Sequence, residues 1–240
     1  MNALIDSVRR ELAAAGDPQR ASAMQRYMKS DMPFHGVRMP EVRRICRAIF
    51  AEHRMESPTA FDSAVSRLFL DATHREERYA AIQLAEHRLC REYQTPSRIR
   101  LYRKLIVAGA WWDTVDEIAG NLVGPILASY PSQVRPTIVE WATDENLWLR
   151  RTAVIAQLGA KERTDLGLLT YAIEANIGDT DFFIRKAIGW ALRQYARVDA
   201  DWVRDFVAGH ETLLSGLSKR EALKRIGSAP ASGSVPRRWR

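Results

Sequence analysis

Cysteine is scarce in this 240-residue chain: Cys46 and Cys90 are the only two, and they lie far apart. Neither has a second Cys or a His at metal-ligand spacing, so neither a zinc site nor a disulfide framework is indicated. The five histidines are equally scattered. His53 and His87 fall in charged helical stretches where a solvated side chain is expected. No metal and no cofactor are expected. Long apolar runs are missing as well, since nothing approaches the roughly eighteen consecutive residues of a membrane span. Residues 1–16 read as an amphipathic helix rather than a signal peptide. A soluble, cytoplasmic protein is expected. Strict apolar–polar alternation is also absent, which argues against half-buried strands.

Lysine is the other shortage, with six residues against thirty arginines in a chain of net charge +7 and pI near 9.7. Arginine's planar fork binds phosphate oxygens bidentately, whereas lysine acts as a point charge. An arginine-rich source of high GC content explains the same bias, so charge suggests nucleic acid without proving it.

What the chain does have is helical periodicity nearly throughout. Ile99, Leu101, Tyr102, Leu105 and Ile106 precede a break at Gly109. Further breaks fall at Asp17-Pro18, Met32-Pro33, Ser57-Pro58, Thr95-Pro96, Tyr130-Pro131, Asp144, Gly178-Asp179 and Gly209. Each carries turn or cap chemistry, so ten or more helices are expected. With 46% hydrophobic residues the chain can bury a core of its own. Residues 1–226 are expected to form one domain. Residues 227–240, which end in Arg-Arg-Trp-Arg, are expected to be a flexible basic tail.

Aligning the helices exposes a weak repeat beginning at Arg78, Thr114, Arg151 and Arg185, which are 36, 37 and 34 positions apart. That period predicts stacked helical pairs, a HEAT-like solenoid with a concave binding face. The third slot of the repeat is Ala80, Ala153 and Ala187 in three units but Asp116 in the fourth. A carboxylate in a small apolar slot costs stability unless it is paired or faces a cleft. A register shifted by one residue would instead make Asp116 simply solvated. Trp112 lies four residues earlier, on the same helical face. Arg150 and Arg151 follow Trp148 in the next unit; Phe182 and Phe183 precede Lys186 and Trp190 in the last. Six of the seven tryptophans lie between positions 111 and 202. Aromatic, cationic and anionic side chains of three repeats are expected to meet on the concave face.

Five blocks then match a known family in order: Tyr27-Met-Lys-Ser-Asp-Met-Pro-Phe-His-Gly-Val, Trp111-Trp-Asp-Thr-Val-Asp116, Trp148-Leu-Arg-Arg151, Phe182-Phe-Ile-Arg-Lys-Ala-Ile-Gly-Trp190 and Leu217-Ser-Lys-Arg-Glu-Ala-Leu-Lys224. Over nearly its whole length the sequence resembles the AlkD-type DNA alkylation repair glycosylases. The resemblance implies an all-α, right-handed solenoid of HEAT-like repeats. It implies a monofunctional glycosylase acting on cationic N3- and N7-alkylated purines in duplex DNA, with the base not enclosed in a pocket. Trp112 and Trp190 then correspond to the aromatic pair flanking the damaged nucleotide, Asp116 to the catalytic carboxylate and Arg151 to the phosphate-binding arginine. Tyr27, Phe182 and Phe183 match positions lining the DNA-binding cleft. Arg150 and Lys186 join them as expected DNA contacts. A monomer with no obligatory protein partner is expected. Two rivals remain from sequence alone, a non-catalytic DNA binder of the same fold and a protein-binding scaffold.

Overall fold

Helix boundaries follow local cap chemistry. Asp17 accepts from the backbone N–H of Arg20 at 3.0 Å with Pro18 in the first helical position, and Ser57 does the same for Ala60 at 3.1 Å ahead of Pro58. Asn146, Asp165, Asp181, Asp199 and Ser215 cap five further helices through their side chains. Such caps satisfy backbone N–H groups that a helix start leaves unpaired. The computed structural model describes residues 2–224 and 226. The expected basic tail at 227–240 therefore lies outside the described residues.

Among the described residues there are fourteen α-helices and no strand. They are α1 (Asn2–Ala14), α2 (Pro18–Met28), α3 (Met39–Glu52), α4 (Pro58–Leu70), α5 (Arg75–Glu86), α6 (Ile99–Gly109) and α7 (Trp112–Ile118), then α8 (Gly124–Ser129), α9 (Pro131–Trp141), α10 (Leu147–Ile155), α11 (Leu166–Glu174), α12 (Phe182–Tyr195), α13 (Ala200–Gly209) and α14 (Gly216–Leu223). Every break read from the sequence falls at the end of a helix or between two helices.

The helices stack in two layers. In the first, α1 packs on α3, α3 on α5, α5 on α7, α7 on α10, α10 on α12 and α12 on α14. Behind it, α4 packs on α5 and α6, α6 on α7, α9 on α10 and α11, and α13 on α12 and α14. The four aligned repeat segments sit on α5, α7, α10 and α12, which are consecutive members of the first layer. Between the layers lies a continuous core that includes Phe61, Leu68, Phe69, Tyr102, Leu105, Ile138 and Trp141. Burying each such aliphatic or phenyl side chain contributes roughly 1.5 to 3 kcal/mol. Cys46 and Cys90 belong to this core, and burial pushes their thiols up to about 12 and about 11. His87 departs from expectation. It stands edge-on to Phe50, with its Nδ1 buried, because tertiary packing covers a stretch whose composition reads as solvated.

Candidate active site

The site is built outward from α7. Helix α6 ends where Ala110 turns left-handed at φ 41°, ψ 37°, and Gly109 lets the turn press against Phe69 and Thr114. Trp111 is extended, and α7 then runs for seven residues before passing into a wider π-type turn at residues 119–123. Trp112 opens the helix and Asp116 follows one turn later on the same face. The slots equivalent to Asp116 on α5, α10 and α12 hold Ala80, Ala153 and Ala187, all buried.

Asp116 is gripped by Arg151 of α10. Arg151 donates from Nε to Oδ1 and from Nη2 to Oδ2, both at 2.7 Å. Its Nη1 donates to the backbone carbonyl of Phe183 on α12 at 2.5 Å. One side chain thus ties three successive first-layer helices. The Arg151 side chain is only 4% exposed and that of Asp116 16%. Burial pushes the Asp116 carboxyl above its ordinary value, the Arg151 fork pulls it back down without offsetting this, and the Asp113 carboxylate adds a push upward. The result is a desolvated carboxylate held in one orientation by an ion pair.

The other expected residues separate into groups. Tyr27 lies in the last turn of α2 with 77% exposure and Phe182 opens α12 with 58%, so both rings are open to solvent. Trp112 and Trp190 are half-buried, each packed on one side against the core. Among the described residues no ring contact joins them. Arg150 donates to Asp179 at 3.0 Å and to the carbonyls of Asp144 and Glu145, and so secures the loop before α10. Lys186 pairs with Glu221 of α14 at 2.9 Å. Arg193 and Lys224 share that carboxylate, which leaves two positive charges uncompensated locally.

Trp148, which precedes the arginine pair on α10, is buried. It forms a cluster with Trp111 and Phe183, whose ring centroids are 5.1 to 6.0 Å apart, and Phe182 lies 5.5 Å from Phe183. Trp111 was not singled out, although its indole Nε1 is buried with no hydrogen-bond partner. Also missed was Asp113. Arg75 of α5 forks onto it at 2.9 and 2.5 Å, and the Tyr79 hydroxyl donates to it at 2.5 Å. The signal lay in the repeat itself. The Arg75–Asp113, Arg151–Asp116 and Lys186–Glu221 pairs each join residues about one repeat apart.

Two of the scattered histidines also meet. His35 and His74 stack with centroids 3.7 Å apart, beside Glu77, and the three present ligand atoms within 4.8 Å of one another. Nearly parallel rings cannot aim in-plane lone pairs at one ion. The Glu77 oxygens already accept from Thr73, the His74 backbone and Arg9. The cluster instead clasps the loop before α3, where neighbouring Glu76 accepts three backbone N–H bonds from His35, Gly36 and Val37. Gly36 is required there, since it sits at φ +86° and a Cβ would lie 2.2 Å from the Asp17 carbonyl.

The fold is a two-layer helical stack that carries an ion-paired, largely buried carboxylate, and the family model "DNA alkylation repair enzyme" matches residues 8–226. The chain belongs to that family. A solved structure described as a "predicted DNA alkylation repair enzyme" from Enterococcus faecalis is 31% identical to it, with a TM-score of 0.80. The match covers 89% of this chain and 98% of that one. No curated protein sequence matches. Among the described residues no helix is long and apolar enough to cross a membrane.

Proposed function

We propose that the chain is a monofunctional DNA glycosylase that hydrolyses the N-glycosidic bond of N3- and N7-alkylated purines in duplex DNA. The observation that carries this reading is the Asp116 carboxylate, desolvated and oriented by Arg151 in a slot that is alanine elsewhere. Alkylation puts positive charge on the purine, so when the C1′–N bond breaks its electrons return to the ring and a neutral base departs. No general acid is needed. The cost is the oxocarbenium ion left on the sugar. Asp116 stabilises that cation electrostatically and aligns a water, whose oxygen bonds C1′ while its proton passes to solvent through the carboxylate.

The faces of Trp112 and Trp190 supply cation–π attraction for the charged nucleotide, about 0.5 to 2 kcal/mol per contact. Arg151 commits three of its N–H groups to Asp116 and the Phe183 carbonyl, so its chief part is to hold the carboxylate. The phosphate contact expected of Arg151 would have to come from its two remaining N–H groups, on a side chain that is only 4% exposed. Tyr27, Phe182, Arg150 and Lys186 flank the duplex on the same face, a concave one, and the base stays unenclosed. Lys186 is engaged with Glu221, which disfavours a Schiff-base lyase route through it. The protein acts as a monomer and without a protein partner.

The deciding experiment incubates the purified protein with methylated duplex DNA and separates released bases chromatographically. Release of free 3-methyladenine or 7-methylguanine above spontaneous depurination is expected. Tight duplex binding with no release would favour the non-catalytic binder instead.

A further inference from the structure

Resting on the glycosylase reading, we infer that Asp113 is a positioning residue for Asp116: gripped by Arg75 and Tyr79, it fixes the first turn of α7 against α5 and so sets the orientation and electrostatic surroundings of the carboxylate one turn on. Asp113 is three residues before Asp116, hence on the same side of α7. At its far end α7 runs without a break through the π-type turn into α8, so its first turn is the free end and takes its orientation from what that end is tied to. Trp111, at its N-cap, provides no side-chain cap bond. Asp113 takes over that work, accepting from the Thr114 backbone N–H at 2.9 Å as well as from the Arg75 fork and the Tyr79 hydroxyl.

The donors are themselves fixed. Arg75 is buried, its backbone N–H donates to the Pro33 carbonyl at 2.9 Å, and its Nη1 reaches Ser30 Oγ. Next to it, Glu76 holds the loop at residues 35–37. The segment after α2, which carries Tyr27, is thus tied to the start of the helix that carries Asp116. Asp113 and Asp116 each have a buried arginine partner, from α5 on one side and α10 on the other. These two forks determine how α7 sits between its neighbours.

The pairing also has an electrostatic consequence. The groups acting on Asp116 are Arg151 from α10 and Asp113 from its own helix. Acting on Asp113 from α5 are Arg75, Arg78 and Tyr79. α6, which also packs on α7, contributes none to Asp116 among the described residues. Removing the Asp113 charge takes that repulsion away, whereas removing the Arg75 charge leaves the Asp113 carboxylate uncompensated and strengthens it. A residue that only props up the helix has no reason to give shifts of opposite sign.

The test uses the full chain labelled with ¹³C at the aspartate carboxyls, with the Asp116 resonance assigned by its loss in Asp116→Asn. The Asp116 titration midpoint is expected to move to lower pH in Asp113→Asn and to higher pH in Arg75→Gln, and to return toward wild type in Arg75→Lys. Single-turnover release of 7-methylguanine at saturating duplex should fall roughly tenfold to a hundredfold in Asp113→Asn through misplacement of Asp116. Duplex affinity should stay within about twofold, because Asp113 faces protein rather than phosphate. Ile138→Ala, far off in the second layer, is the control for lost stability alone, lowering the melting temperature without moving the midpoint.

An unmoved midpoint in both Asp113→Asn and Arg75→Gln, or shifts of the same sign, overturns the proposal. Should Asp113→Asn fail to fold, the Arg75 pair still gives the sign. If the wild-type protein releases no base, the glycosylase reading falls, while the titrations still decide whether Asp113 governs Asp116.

Discussion

Replacing Asp116 by asparagine preserves the side-chain shape and one acceptor but removes the charge that two 2.7 Å bonds from Arg151 now compensate. Two costs follow, and they are separable. The first is to folding, since the guanidinium left behind is only 4% exposed. Breaking a buried pair costs about 3 kcal/mol at the lower end of what is measured, which fits here because the Phe183 carbonyl and the amide oxygen still accept. In a chain of this size that is a fall of roughly 6 to 12 °C in Tm. The second cost is to chemistry. One preorganised electrostatic contact to a developing charge is worth about 3 to 4 kcal/mol, a loss of roughly a hundredfold or more in the excision step. The assay is single-turnover base release with enzyme in excess at saturating duplex. It is run well below the lowered Tm, with spontaneous depurination subtracted. Affinity for damaged duplex should hold or rise, because a negative charge near phosphates has gone. Excision by Asp116→Asn at the wild-type rate would refute the mechanism, whatever happened to Tm.

Three further outcomes are expected. Excision requires the Asp116 carboxylate, and burial raises its pKa, so the rate should climb with pH along a limb that lies above the ordinary 3.8. In linkage terms the folded state holds this proton more tightly than the unfolded chain, so its contribution to stability is complete below 3.8 and is lost as pH rises through the raised value. A limb at or below 3.8 in the single-turnover pH profile contradicts this. Trp190→Ala should lower affinity for cationic lesions by about twofold to thirtyfold more than for undamaged duplex, measured by competition binding; equal losses would make Trp190 a core residue or a generic contact. Gly189→Ala should destabilise by about 1 to 3 kcal/mol in urea titration, since the new Cβ would stand 2.5 Å from the Glu221 Cβ and 2.8 Å from the Ser218 carbonyl. A stability equal to wild type would mean that α14 docks more loosely on α12.

The helices and their breaks were legible because they rest on local chemistry. Asp17-Pro18, Ser57-Pro58 and Gly209 carry their caps and stops within a few residues. Asp116 was legible for a different reason: a repeat makes its own exceptions visible, and the alanine slots at 80, 153 and 187 framed it. Pairings across helices were not. Arg150 and Lys186 looked like free cations because their partners lie elsewhere in the chain, Asp179 in the turn before α12 and Glu221 on α14. The same blindness hid the Arg75–Asp113 pair. Trp111 and Trp148 show the remaining limit. Periodicity says which residues share a face, but whether that face is covered depends on Phe183, contributed by another helix.

Stacked helical pairs ordinarily gain and lose units easily, because each unit meets only its neighbours. The three-way reach of Arg151, from α10 back to Asp116 on α7 and forward to the Phe183 carbonyl on α12, withdraws that freedom from the middle of this chain. A helix pair inserted or deleted on either side of α10 would leave a buried guanidinium facing the wrong neighbour, so the span from α7 to α12 does not tolerate a change in its number of helices.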